Sequence, residues 1–197
     1  MSQEKDVRLE DVAESKAELD DKARKMLEDK DADSRMRIYE GPLGKAIIVL
    51  LCVWTAFQLY FTTIGAISAI NLRAIHCIFL LLFTFLLFPT YKKEKRRRKL
   101  PPIWDWVFIL GSIGSFTYLI LNYTRIAQTG GRISDMEVGI ALVAIVCVFE
   151  AARRASGNLA ILAAVFLAYN WFGAYLPGYF GHNGFTLKRV LITQFWG

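Results

Sequence analysis

Residues 71–89 read NLRAIHCIFLLLFTFLLFP. From Leu72 to Phe88 the run is almost wholly apolar, and Pro89 stops it. It does not alternate with period two, so it reads as a buried or membrane-crossing helix rather than a barrel strand. Arg73 and His76 stand at its front, three apart, and share one helical face.

The neighbouring sequence decides for the membrane. Upstream, LGKAIIVLLCVWTAFQLYFTTI (Leu43–Ile64) is a second such run, entered at Gly41-Pro42. Downstream come apolar runs from about Ile103 to Tyr123, Asp135 to Arg153 and Gly157 to Tyr175. A soluble chain of 197 residues does not carry several apolar runs near 20 residues. With 54% hydrophobic residues and mean hydropathy +0.33, the expected fold is an all-α integral membrane bundle of about five transmembrane helices. The loop GAISAIN makes the first two a tight antiparallel pair. The fifth run is interrupted by Asn170 and Gly173 and barely spans the hydrocarbon, so a full crossing and a re-entrant or surface-lying course stay open. After Pro177 follow a glycine-rich loop and a short amphipathic stretch, Phe185–Trp196.

The net charge of +6 conceals two populations. Residues 1–37 hold twelve acids and nine bases, whereas the rest hold six acids and fifteen bases. Seven of those bases lie in KKEKRRRK, Lys92–Lys99. Basic loops lie on the cytoplasmic side, so this charge records topology and not nucleic-acid binding. Arg35, Arg37 and Lys45 before the first helix, and Arg153-Arg154 closing the fourth, agree. The expected arrangement is therefore an N-terminus in the cytoplasm and, with five helices, a C-terminus outside. Arg73 and His76 fall at the outer interface. Residues 1–40 form a charged cytoplasmic tail without a signal peptide, and residues 41–197 form the transmembrane domain. In the tail, Leu9, Val12, Leu19 and Met26 are weakly helical in spacing, which suits a solvated helix or a frayed segment.

Chemistry is sparse. Cys52, Cys77 and Cys147 lie inside apolar runs with no metal-ligand spacing, and the only histidines are His76 and His182. Asp105, Asp135 and Glu137 sit at helix starts, where an acid suits the dipole. Glu150 lies one turn before Arg153-Arg154, which predicts a local ion pair. Trp104, Trp106 and Trp171 read as interface anchors. Gly111, Gly114 and Ser115 set small residues along one face of the third helix, favouring close helix contact. For Arg73 and His76 three readings compete: interfacial snorkelling, a contact to lipid headgroups or a partner, and a catalytic role lacking a third group.

In order and spacing, RAIHCIFLLLFTFLLFP, the basic loop, PPIWDW, DMEVGIALVAIVCVFEAARRASG and LPGYFGHNGFTLKRVL resemble a known pattern. They resemble the small-subunit portion of TRAP transporters, the tripartite ATP-independent periplasmic systems, and within them the N-terminal portion of fused permeases of the TAXI subgroup. The residues carrying the resemblance are Arg73/His76, Trp104/Asp105, Asp135, Arg153/Arg154/Gly157, Pro177/Gly178 and His182/Gly184/Phe185. It spans about residues 41–197 and leaves out the tail before Arg35. It implies a non-catalytic scaffold, not an enzyme, in a bacterial inner membrane, which makes the outer side, and with it the C-terminus, periplasmic. Such a scaffold braces a large permease subunit that performs sodium-coupled import of organic acids. It also implies no cofactor in this chain, with sodium held by the partner subunit, and docking of a periplasmic substrate-binding protein. On this reading the chain is a separately encoded subunit or one piece of a fusion. The outer loops Thr124–Ser134 and Pro177–Thr186, with Arg125, Arg132, His182 and Phe185, would face the binding protein; phospholipid would be the remaining partner. The competing reading is a small outer-face enzyme or receptor using Arg73, His76 and His182.

Overall fold

The structure, a computed structural model, describes residues 20–22, 36–39, 41–65, 67–91, 97–98, 100–130, 132–181 and 183–196. Most of the basic loop, His182 and nearly all of the helix or frayed tail expected before residue 37 lie outside them. The chain divides into two units, Met1–Met36 and Arg37–Gly197. In the first, residues 20–22 are helical and exposed. The second unit starts ahead of the expected boundary at residue 41, because Arg37 and Tyr39 are buried within it.

Among the described residues of the second unit are five long helices: α1 Pro42–Ile64, α2 Ala69–Leu87, α3 Ile103–Gln128, α4 Asp135–Ala155 and α5 Gly157–Phe172. Their ends follow local chemistry. Pro42 opens α1, where its missing N–H is not needed, and Gly65 closes it in the left-handed conformation at φ 68°. Ser68 caps α2 by accepting from the Asn71 amide, so α2 begins earlier than the expected Leu72. α3 runs to Gln128, past the expected Tyr123. Ser134 and Glu137 form a capping box at the start of α4, each side chain accepting from the other's backbone amide. A 3-10 turn, Gly173–Tyr175, extends α5, and the C-terminal stretch forms a short helix α6, Leu187–Leu191, followed by a π turn, Ile192–Trp196. The described extended pairing is two residues long: β1, Ile38–Tyr39, runs parallel to β2, Arg97–Arg98.

Among the described residues, four helical segments are long and apolar enough to cross a membrane: α1, α2, α3 and Gly157–Tyr175. The chain is thus an all-α, multi-pass membrane protein. α4 is not among the four, since Asp135, Glu137, Glu150, Arg153 and Arg154 crowd its two ends. It nevertheless lies at the centre, packing on α2, α3, α5 and the C-terminal segment. Ala141, Ala144, Cys147 and Ala151 form its buried stripe. Small residues there let α3 approach closely: a Cβ on Gly111 would stand 3.4 Å from Val143 Cγ1 and 3.5 Å from Cys147 Sγ. Gly114, expected on the same seam, faces open space instead. Burial falls off outward. In α3 33% of the apolar window is buried, in α1 only 6% and in the Gly157–Tyr175 segment 11%. The outermost helices therefore turn most of their apolar surface to lipid or to another membrane protein.

Candidate functional site

The last turn of α2 carries the problem that organises one end of the bundle. Pro89 ends the helix, so the final carbonyls have no intrahelical donor, and beside an apolar core each must find one. Arg37 and Tyr39 supply most of them. Arg37 donates its backbone amide to Leu87 O at 2.6 Å, and its Nη1 to Phe85 O at 3.1 Å and Leu86 O at 3.4 Å. Tyr39 Oη donates to Leu86 O at 2.7 Å. A guanidinium at a helix C-terminus also meets the negative end of the dipole.

That cation is itself buried and is neutralised from α3. Asp105 accepts from Arg37 Nη1 at 2.5 Å on one oxygen and from Arg154 Nη1 at 2.7 Å on the other. All three side chains have no exposed surface. Thr90 Oγ1 lies 3.4 Å from the same carboxylate. Arg154 also donates Nε to Glu150 at 2.8 Å and Nη1 to Phe88 O at 3.5 Å, and it lies over the rings of Phe85 and Phe108 at 4.9 and 5.5 Å. Glu150 takes two further bonds, 2.7 and 2.8 Å, from Arg153, whose Nη2 reaches Thr90 O at 3.3 Å. Three guanidinium groups and two carboxylates thus join the segment before α1 to α2, α3 and α4.

The opposite end holds a second, wetter cluster. Arg125 near the end of α3 bonds Glu137 of the α4 capping box, and Tyr118 Oη stands 3.4 Å from the same carboxylate. Asp135 accepts from Lys188 at 2.9 Å, both largely exposed. Phe185 donates its amide to Asn170 O at 3.1 Å and lies under Arg189. Arg132 is exposed.

Of the residues expected to matter, the structure brings Asp105, Arg153 and Arg154 into one network and Arg125 and Asp135 to the other end. The predicted Glu150 ion pair is present. Asp105 stands in the first turn of α3, as read, and is in addition the buried acceptor of two cations. Trp104 is 73% exposed, as a lipid-facing anchor requires. Arg73 is exposed, while His76 is half-buried, its ring 5.3 Å from that of Trp54 on α1. His182 falls outside the described residues, so its expected role is not placed.

Sequence reading missed Arg37 and Tyr39, which it left in the tail. The available signal was Asp105 itself: it is the one acid between Glu94 and Asp135, at the mouth of an apolar helix, and needs a cation from the same membrane face. Comparison with family models, with curated proteins and with solved structures returns no match.

Proposed function

We propose that this chain is a non-catalytic scaffold subunit of a sodium-coupled TRAP-type transporter importing organic acids. On this reading it braces a large elevator-type permease subunit and helps dock a periplasmic substrate-binding protein. The observation that carries it is the buried Arg37–Asp105–Arg154 bridge. It clamps three helices and the entry segment at one end, as a fixed brace requires, while α1 and α5 present broad apolar faces to another membrane body. Asp105 and Arg154 are also residues of the pattern that prompted the reading. The basic Lys92–Lys99 segment would set this end in the cytoplasm, with α4 as a fifth crossing and the C-terminus in the periplasm of a bacterial inner membrane. Arg125, Asp135, Lys188 and Phe185 would then line the outer face.

The deciding experiment has two steps. Purification of the full chain from its native membrane in mild detergent should bring a large membrane subunit with it. Uptake reconstituted from that subunit should then fall to background without this chain. Full uptake by the large subunit alone would refute the proposal. The rival reading, a small outer-face enzyme or receptor using Arg73, His76 and His182, predicts instead a reaction by the chain alone that His76→Ala abolishes.

A further inference from the structure

The amphipathic stretch at the C-terminal end has a pattern that suits a helix lying flat on a membrane surface. Its contacts describe a different course. At its start, Lys188 Nζ donates to Asp135, the first residue of α4, at 2.9 Å, and the Arg189 guanidinium lies 5.5 Å from the ring of Phe185. Asp135 stands two residues before Glu137, which bonds Arg125, so this level is the polar boundary of the bundle at that end. Seven residues beyond Lys188, Phe195 packs edge-on against Phe116 at 5.4 Å, and Trp196 packs against Tyr118 at 6.0 Å. Phe116 lies at the middle of α3, about 14 Å along the helix axis from Arg125. Seven residues of helix advance about 10 Å. The segment therefore runs lengthwise along α3 and α4, from the polar boundary toward the middle of the bundle. A helix laid across the bundle's end would not make both sets of contacts.

Its chemistry suits that course. Both charges, Lys188 and Arg189, stand at the boundary, and from Val190 to Trp196 the sequence carries none. Val190, Leu191 and Trp196 are buried, in a segment packed on α3 and α4. The Val190 amide donates to Thr186 O and Thr193 Oγ1 donates to Arg189 O, both at 3.0 Å, so these polar groups are met within the segment, as a hydrocarbon setting demands. Thr193 and Gln194 are exposed on its other side.

We infer that Leu187–Trp196 is inserted in one leaflet of the bilayer, upright against α3 and α4, with lipid chains against its exposed side at Thr193 and Gln194. Lys188 and Arg189 hold its start at the headgroups, and Phe195 and Trp196 reach deepest. The segment also covers Phe116 and the ring of Tyr118, whose hydroxyl stands 3.4 Å from Glu137, so its seating is joined to the Arg125–Glu137 cluster. The inference requires only that the chain is a membrane protein, and stands apart from the transporter assignment.

The test uses the full chain in phosphatidylcholine vesicles, with Cys52→Ala, Cys77→Ala and Cys147→Ala and one nitroxide label at Lys188→Cys or Gln194→Cys. Collisions of each label with oxygen, which dissolves among lipid chains, are compared with collisions with a water-soluble nickel chelate. The oxygen-to-nickel ratio should be several times higher at position 194 than at position 188. Thr193→Cys, at an equally exposed site, should repeat the result at 194 and serves in its place where Gln194→Cys does not fold. Equal ratios at 188 and 194 would overturn the inference and lay the segment flat on the surface. So would a label at 194 shielded from both reagents, which would set protein rather than lipid against that side.

Discussion

Replacing Asp105 by Asn keeps the side chain's shape and removes its charge. Two guanidinium groups with no exposed surface then lose the anion between them. The new amide also sets an N–H₂ against donors, since only one of its two polar atoms accepts. Breaking a buried pair from one side costs about 3–5 kcal/mol, because the remaining charge is stranded. For a chain of this size that corresponds to a fall in melting temperature of about 6–20 °C. Arg37→Met should cost less, about 1–3 kcal/mol. Asp105 keeps Arg154 at 2.7 Å, and the loss is mainly of donors to Phe85 O and Leu86 O. The double variant should fall short of the sum of the two, since both act on one network. The measurement is thermal unfolding in mild detergent, followed by tryptophan fluorescence from Trp104 and Trp106 beside the site. An Asp105→Asn variant within about 1 kcal/mol of wild type, or strict additivity with Arg37→Met, would refute the bridge as the clamp of the bundle.

The opposite end should respond weakly. Lys188→Ala removes an ion pair whose partners are 57% and 94% exposed, so its effect should be close to nothing and vanish in high salt, checked by the same melts. Gly44→Ala should be costly despite its position in the first turn of α1. The added Cβ would meet the carbonyl oxygen of Tyr39, and the backbone must shift, at about 1–3 kcal/mol and with loss of the Tyr39–Leu86 bond. Cysteines placed at Tyr91 and Tyr179, both exposed, test the crossing count. Five crossings put them on opposite faces, so a membrane-impermeant maleimide should label Tyr179→Cys from outside intact cells and Tyr91→Cys only after lysis. Labelling of both from one side would refute α4 as a crossing.

The helices were legible because their signal is local. Continuous apolar runs need no knowledge of neighbours, and Pro42, Pro89 and the Ser134–Glu137 capping box mark ends in their own sequence. The starts and stops that were misplaced, at Ala69 and Gln128, depend on one side-chain cap and on how long a helix persists past its apolar core. The buried bridge was less legible for a different reason. Charge counting assigns residues to a membrane face, and it placed Arg37, Arg153 and Arg154 on the face that also holds the start of α3. It does not say which cation turns inward.

Helical spacing does carry that choice for α4. Ala141, Ala144, Cys147 and Ala151 recur at three or four residues and form its buried face. Arg154 stands three beyond Ala151 and so continues the stripe. Arg153 lies about 100° away around the helix. The stripe thus predicts that Arg154 enters the bundle and Arg153 stays at the surface, which matches side-chain exposures of 0% and 48%. No comparable rule reaches Arg37, because it precedes α1 in an extended segment and is positioned by the carbonyls of α2. The demand could be read from the other side. A helix that ends at a proline beside an apolar core leaves carbonyls that must be met by donors from elsewhere in the chain. Here those donors are Arg37 and Tyr39, ahead of the first helix, and Arg154, closing the fourth.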